Sequence, residues 1–585
     1  MLASLVTLAD ELQARDPSMI TPLGYARVGI RWVVPVDREG KLLRAPYRTT
    51  AGDDDAAKTY TVPDLVRTTG IKPKLLSDNG EYTFGVGRNA DDPKVKQRHE
   101  AYLELVHECA KATDSVEVKA VAAFLDQLDV STLGFGDDFD PTDRVTFEVD
   151  GRLCFEDPEV ARFWADTVAD PDGRVGDDML IGQRGLLMAT EPTKIKGTRI
   201  PNGQTSGMNL VSGNSPAFWS YGAKQSLNSP ILVNTADRYV KALNHLLADE
   251  KHHIRIGDVV YVFWTNTAWV PPVKDVLRGE GYDAFDGLFS DSTPPQTLLF
   301  PPDPEDASRL VKSVWMQPDP NKATDDPVFH AAALSSSGSR IVVRNQTLET
   351  VSAVRNNLRA FVMRSSMVAP DGAAGKPIGV FPLAASIYQD ARKQMVASVP
   401  TAIVQHALEN VPLPASLLDA IVRRNRVERM VTRPRAALTR LVLTSMEVDM
   451  QEMDQRNLER TEPAYHLGRL LAVLNSLQHR ALGTVNATLV DRFYGSFSTA
   501  PASILGRLMQ SGQDYVSKIR TQYGEQAGLG SERRISDVLV NVHDVPEVLD
   551  GRDQALFSLG YYHERAAHWK AINDAKANQD PEVNQ

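Results

Sequence analysis

The sequence predicts an α+β protein, with a mixed α/β N-terminal domain followed by an all-α C-terminal helical bundle. Three observations carry this. Runs of β-branched and aromatic residues alternate with helical patterns in the first part of the chain, and strand signals nearly vanish after about Ala385. One-sided apolar faces at helical spacing dominate from there to the end. The length, 585 residues, exceeds one ordinary core and implies roughly two to four domains.

Met1 to Leu5 has no basic leader and reads as the start of an amphipathic helix rather than a signal peptide. Ile30-Arg31-Trp32-Val33-Val34 reads as a strand, ended by Pro35 and a turn at Asp37 to Gly40. Lys94 to Leu128 reads as helix, with Tyr102, Leu105 and Val106, then Val118, Val121, Ala122 and Leu125, on an apolar face. Val259 to Trp264 is a continuous apolar run that fits a buried strand. Gly279 to Asp326, rich in Pro, Asp and Ser, reads as a linker or loop. Arg340 to Arg344 is strand-like, and Thr347 to Met363 helix-like. Leu467, Leu470, Leu471, Leu474 and Leu477 form one helical stripe; Ile535, Val538, Leu539 and Val542 form another. The polar end, Asn578 to Gln585, is expected to fray. The resulting domains are a mixed α/β part at 1–375, an Arg-rich helical connector at 376–452 and a helical bundle at 453–585. No repeat of solenoid period is present.

Only two cysteines occur, Cys109 and Cys154, too few for a disulfide framework or a zinc site, which fits a reducing cytoplasm. No apolar run reaches the ~18 residues of a membrane span. The net charge of −11 is uneven. Ser131 to Leu180 holds fourteen acidic and four basic residues, whereas Glu191 to Val260 holds eight basic and five acidic. Nucleic-acid binding follows the local field, not the total. An acidic total fits a few placed contacts inside an assembly better than coating DNA alone.

Enzymatic constellations are weak. There is no Gly-x-Ser-x-Gly elbow, phosphate-binding Gly-Lys-Ser/Thr loop or His-Glu-x-x-His motif, and no cofactor or metal is expected. His252-His253 with Asp258 reads as surface. Asp137, Asp138, Asp140 and Asp143 read as a solvated acidic loop, with a divalent-ion site as the alternative.

Four stretches suit nucleic acid. Asn209 to Ala242 packs amides, small residues and aromatics around Lys224. Asn214 and Gln225 can address base edges, Lys224 phosphate, and Phe218 and Trp219 can stack on bases. The competing reading is a turn before a helix, with Phe218 and Trp219 in the core. Arg67 to Gly80 carries Lys72 and Lys74 on either side of Pro73, which stiffens the loop and holds both ammonium groups near each other; Asn79 follows. Lys194 and Lys196 form a third basic site before Gly197. Arg423, Arg424, Arg426, Arg429, Arg433, Arg435 and Arg440 fit either phosphate contacts or a helix surface between domains.

At these residues the chain resembles a known family. Leu210 to Gly222, then Gln225 and Leu227 to Ile231, resembles the signature of the large subunit of the type I-C CRISPR surveillance complex, Cascade. Gly213, Ser215 and Ser229 depart from the family's Phe, Ala and Ala. Arg67 to Pro73 through Leu76, Asp78, Asn79 and Tyr82 is similar to an upstream block of the same family, as are Gly24-Tyr25 and Ile30 to Val34. Ala464 to Leu470, Asp491 to Gly495 and Leu559 to His563 fit its helical C-terminus. Met188 to Gly207 is shorter than the family's basic loop, and Lys194 to Gly197 is the part that matches.

The resemblance implies a cytoplasmic, non-enzymatic subunit of a ribonucleoprotein for antiviral defence. It would recognise the protospacer-adjacent motif in double-stranded DNA and aid duplex opening and R-loop formation. Expected DNA contacts are Lys72, Lys74, Asn79, Lys194, Lys196, Asn214, Lys224 and Gln225. Arg469, Arg480, Arg492 and Arg507 are expected to hold the displaced strand. Expected partners are crRNA-containing Cascade with its backbone and guide-processing subunits, and a recruited helicase-nuclease. A small subunit made from this chain's own C-terminal region completes the set, with Met446, Met450 and Met453 as candidate starts. A metal-dependent nuclease and a purely structural scaffold are the alternatives.

Overall fold

The computed structural model describes residues 1–49, 56–65, 67, 70–89, 92–135, 138–169, 173–220, 222–265, 273–279, 327–446 and 453–579. The chain divides into two compact units, Met1–Asp249 with Ser336–Val342, and Glu250–Ser335 with Val343–Gln585. The architecture is α+β. The change in composition near Ala385 falls within the second unit.

In the first unit, β1 (Tyr25–Ile30) pairs antiparallel with β4 (Lys58–Pro63). A five-stranded sheet has the order β3 (Tyr47–Arg48), β2 (Trp32–Val36), β6 (Arg144–Val149), β5 (Ser77–Asn79), with β7 (Arg152–Leu153) also on β6. β2 and β6 are parallel, Trp32 opposite Val145 and Val36 opposite Val149. β2 is buried throughout and runs through Pro35 rather than stopping there. The Pro35 carbonyl accepts from the Leu43 amide on the outer side, so the missing proline donor faces that side and not the ladder with β6.

The helical pattern from Lys94 is broken in two, Pro93–Ala112 and Val116–Asp126. Ser115 accepts from the Val118 amide and caps the second helix, so capping chemistry at Thr113 to Ser115 overrides the continuous periodicity. The apolar faces read from sequence are buried around Trp32, Phe147 and Trp164, and both cysteines lie in this core as free thiols. The N-terminal helix Leu2–Arg15 packs on Val233–Ala248. A short hairpin joins β8 (Val175–Asp177) to β9 (Arg184–Leu186).

The second unit starts with a four-stranded sheet ordered β10 (His253–Ile256), β11 (Val259–Thr265), β12 (Val328–Ser337), β13 (Arg340–Thr350), of which the hairpin tip Ser336–Val342 belongs to the first unit. All seven residues of β11 are buried, as the apolar run predicts. β13 continues through Thr350, which caps the helix Val351–Ser365 through the Ala353 amide, so that helix starts later than its pattern implied. The expected linker, apart from Gly279, lies outside the described residues.

Helices then follow one another: Ser398–Glu409, Ala415–Glu428, Arg433–Met446, Pro463–Leu482, Leu489–Phe497, Pro501–Tyr523, Glu525–Leu539 and Gly551–Gln579. The Leu467 to Leu477 stripe is buried, chiefly against Gly551–Gln579. The two backbones meet closely because Gly468 and Gly560 lack side chains; a Cβ on either would collide with a carbonyl of the facing helix, Phe557 or Tyr465. Among the described residues no helix is long and apolar enough to cross a membrane.

The arginine-rich stretch is split by this packing. Arg440 is buried and donates to the Met363 and Ser366 carbonyls at 2.8 and 2.7 Å, closing the C-terminal end of Val351–Ser365. Arg435 is buried, bonded to the Ser386 carbonyl and Glu428. Arg433 binds the Met367 and Lys376 carbonyls. Arg423, Arg426 and Arg429 are exposed.

Candidate nucleic-acid interface

The described residues of the segment 209–230 are held by their own polar contacts more than by burial. Gly213 lets the Gln225 carbonyl approach where a Cβ would collide with it. The Gly213 carbonyl accepts from the Trp219 indole N–H at 2.9 Å, and the Asn228 amide donates to the Phe218 carbonyl. Two 3₁₀ turns, Pro216–Phe218 and Gln225–Asn228, shape the rest. Phe218 and Trp219 consequently stand on the surface, 47% and 39% exposed. This corrects the reading that placed them in the core: the indole and backbone bonds hold the rings outward.

Arg340, at the start of β13, completes this surface. Its guanidinium lies 4.9 Å from the Phe218 ring centroid and donates to the Asn214 side chain. Two backbone bonds fix the approach: the Asn209 amide donates to the Ser339 carbonyl at 3.1 Å, and the Ile341 amide to the Asn209 carbonyl at 2.9 Å. Lys224 stands 5.8 Å from the Trp219 ring. Asn214, Lys224 and Gln225 are exposed, and Gln225 holds a left-handed backbone, φ 54°. Three expected residues thus join two aromatic faces, and Arg340 is the one that sequence reasoning missed. The Ser337-Gly338-Ser339 turn signal ahead of it was the available clue.

The root of the segment is held by Glu191. Its buried carboxylate accepts from the Leu210 and Val211 amides, both at 2.9 Å, and from the Tyr239 hydroxyl at 2.6 Å. Burial pushes this carboxyl up to about 7, against the opposing pull of those donors.

Lys72 and Lys74 do not share a surface. Lys72 is exposed, and its carbonyl is gripped by the Arg67 guanidinium at 2.8 Å, itself stacked 3.9 Å from the Tyr82 ring centroid and paired with Asp78. Lys74 is buried against Asp64, which also takes Arg144 at 3.2 Å. Lys74 therefore neutralises an interior carboxylate and is withdrawn from phosphate contact. Asn79 caps a short helix by accepting from the Tyr82 amide at 3.3 Å. It also lines a cleft of about 430 Å³ with Arg67, Lys94, Gln97 and Arg98. Lys194 and Lys196 flank Ile195, which bridges to Met208. Lys196 is exposed; Lys194 is half-buried and lines a second cleft, of about 730 Å³, together with Lys72.

In the second unit, Arg469 is buried and ion-paired with Glu564 at 2.9 Å, so it faces the bundle interior and not a bound strand. Arg480 is exposed, 5.3 Å from the Tyr523 ring; Arg492 is exposed, 5.7 Å from the Phe493 ring; Arg507 is exposed on Pro501–Tyr523.

The acidic cluster is largely occupied by partners. Asp138 pairs with Arg48 at 3.1 Å and Asp140 with Arg88 at 2.6 Å, while Asp143 accepts from the Trp32 indole at 3.0 Å. Arg88, then Thr142, holds the Asp140 carboxyl down at about 2. Asp137 lies outside the described residues. Among the described residues no group of three or more His, Cys, Asp or Glu side chains is placed to hold a metal ion.

No curated protein matches the chain. The family model of CRISPR-associated protein (Cas_Csd1) matches residues 5–569, nearly the whole length, and so takes in the Phe218 surface, both clefts and the helical C-terminus. The chain belongs to the Cas_Csd1 family of CRISPR-associated proteins.

Proposed function

We propose that this chain is the large subunit of a type I-C Cascade complex, reading the protospacer-adjacent motif in duplex DNA and aiding R-loop formation. The exposed Phe218 and Trp219 faces, with Arg340, Lys224, Asn214 and Gln225 around them, carry the reading. Aromatic faces stack on bases, amides address base edges, and cations neutralise phosphate. Lys72, Lys194 and Lys196 supply further phosphate contacts. Sequence is read by guide pairing and the short motif by protein, the division of labour that RNA-guided recognition uses elsewhere.

Arg480, Arg492 and Arg507 hold the displaced strand in this reading. The same message yields a second polypeptide of about 14–15 kDa, on ordinary residue mass per chain length, starting near Met446, Met450 or Met453. A C-terminal tag that reveals one band, unchanged when those methionines are replaced, removes this part. DNA cutting belongs to a recruited helicase-nuclease, and the purified chain with magnesium or manganese leaves DNA intact. Nicking that Asp138→Ala abolishes would make it a nuclease instead.

The deciding experiment is duplex binding by the reconstituted guide complex, with and without this chain, on targets whose flanking motif is intact or scrambled. Tight binding that needs both chain and motif supports the reading. Binding indifferent to the motif, with normal assembly, leaves a scaffold.

A further inference from the structure

The larger cleft of the first unit has a composition that motif reading does not require. It encloses about 730 Å³. Its walls are mostly aliphatic, with Leu65, Ile71, Val168 and Leu187 among them. Cations enter the lining from three separate segments, as Lys72, Arg174 and Lys194. Lys72 and Arg174 are exposed; Lys194 is half-buried and within electrostatic reach of Glu191. Asn209 also lines the cleft, and its side-chain oxygen is buried without a hydrogen-bond donor among the described residues. Buried polar atoms are ordinarily satisfied, so an orphaned acceptor in an apolar-walled cleft marks a place for a ligand donor. An apolar slot with one amide inside and cations in its lining matches a nucleotide: a flat base with polar edges, joined to a phosphate.

The geometry points to this cleft as a receptor for one nucleotide extruded from the target duplex, its base among the aliphatic walls and against Asn209, its phosphate beside Lys72, Arg174 and Lys194. The inference rests on the duplex-binding reading above. It adds a mechanism for opening: a base held outside the stack cannot re-pair, so capture of one nucleotide biases the neighbouring pairs toward separation. Glu191 also lines the cleft, and its carboxyl is tied to the Leu210 and Val211 amides next to Asn209, which fixes that wall.

The test uses the full chain in the guide complex and duplexes carrying 2-aminopurine, moved one position at a time through the motif and the first paired bases. This base brightens when it leaves the stack, and the aliphatic walls do not quench it unless it stacks on Trp164, which also lines the cleft. A severalfold rise at one position is expected. Ala189 is exposed and lines the cleft, so Ala189→Trp fills the slot from its edge without disturbing the core. This variant should abolish the rise while keeping the melting temperature, and Thr190→Trp, from the neighbouring edge position, should do the same. Asn209→Ala should reduce the rise and the preference for the base at that position. No rise at any position with tightly bound duplex, or a rise that survives both filling variants, overturns the inference. A rise that Ala189→Trp removes on duplexes with intact and scrambled motifs alike keeps the cleft and defeats motif reading instead.

Discussion

Arg469 and Glu564 meet at 2.9 Å inside the helical bundle, and both side chains are sealed from solvent. Glu564 also takes Arg456 at 3.2 Å, and Arg469 donates to the His466 Nδ1 at 2.9 Å. That bond fixes the tautomer: His466 carries its proton on Nε2, which donates to the Arg460 carbonyl at 2.6 Å. Removing one partner of a buried pair strands the other charge, at a cost of about 3–5 kcal/mol. Arg469→Ala should therefore unfold the bundle at markedly lower denaturant. Arg480→Ala, at an exposed site, should change stability by less than about 1 kcal/mol and weaken displaced-strand binding. Equal stability of the two variants would contradict the buried assignment.

The bundle should also be acid-sensitive through His563. Its ring lies between the Tyr465 hydroxyl at 3.0 Å and the Met367 sulfur at 3.3 Å. Burial, with Arg440 nearby as the lesser cause, pushes the imidazole down to about 3. The folded value is below the unfolded 6.5, so the unfolded state binds the extra proton between them. The stabilisation is complete above pH 6.5 and is lost as pH falls toward 3, by about 1.4 kcal/mol per unit. His563→Gln should flatten this limb in urea titrations at pH 4 to 7. An unchanged slope would show that His466 and His406, also shifted down by burial, dominate instead.

Glu191 has the opposite sign. Its folded value, about 7, lies above the unfolded 4.5, so its contribution is full below pH 4.5 and lost as pH rises through 7. The exchange protection of the Leu210 and Val211 amides should fall across that window, and Glu191→Gln should remove the pH dependence. Protection that rises with pH would mean that the two amides and Tyr239 outweigh burial.

Much of the fold was legible because burial leaves periodic traces. The seven buried residues of β11 and the leucine stripe from Leu467 were written in their spacing. The break at Ser115 was not, because one capping hydroxyl outweighs a periodicity that continues on both sides. The site was half legible. Asn214, Lys224 and Gln225 lie on one surface, but side-chain chemistry alone does not say which lysine is already neutralised. Lys74 and Arg469 are, by Asp64 and by Glu564, ninety-five residues away in the second case. Phe218 and Trp219 misled because hydrophobicity was read as burial where local hydrogen bonds set orientation.

Arg340 and Lys224 should separate two kinds of cationic contribution. Arg340 is engaged on the Phe218 ring and the Asn214 side chain, so its charge orders the surface. Lys224 is exposed, its ammonium 5.8 Å from the Trp219 ring centroid, a longer contact from which it can reach phosphate. Losing a cation–π contact and one side-chain hydrogen bond costs about 1–2 kcal/mol, so Arg340→Ala should weaken duplex binding by the assembled complex roughly tenfold. Affinity measured across salt then tells the two apart. Each phosphate contact adds about 0.9 to the slope of log affinity against log salt. Lys224→Ala should lower that slope by about one contact, whereas Arg340→Ala should lower affinity at every salt and leave the slope nearly unchanged. If Arg340→Ala reduces the slope as much as Lys224→Ala does, the guanidinium leaves Phe218 on binding and grips the backbone itself, and the aromatic ring is freed to stack on a base.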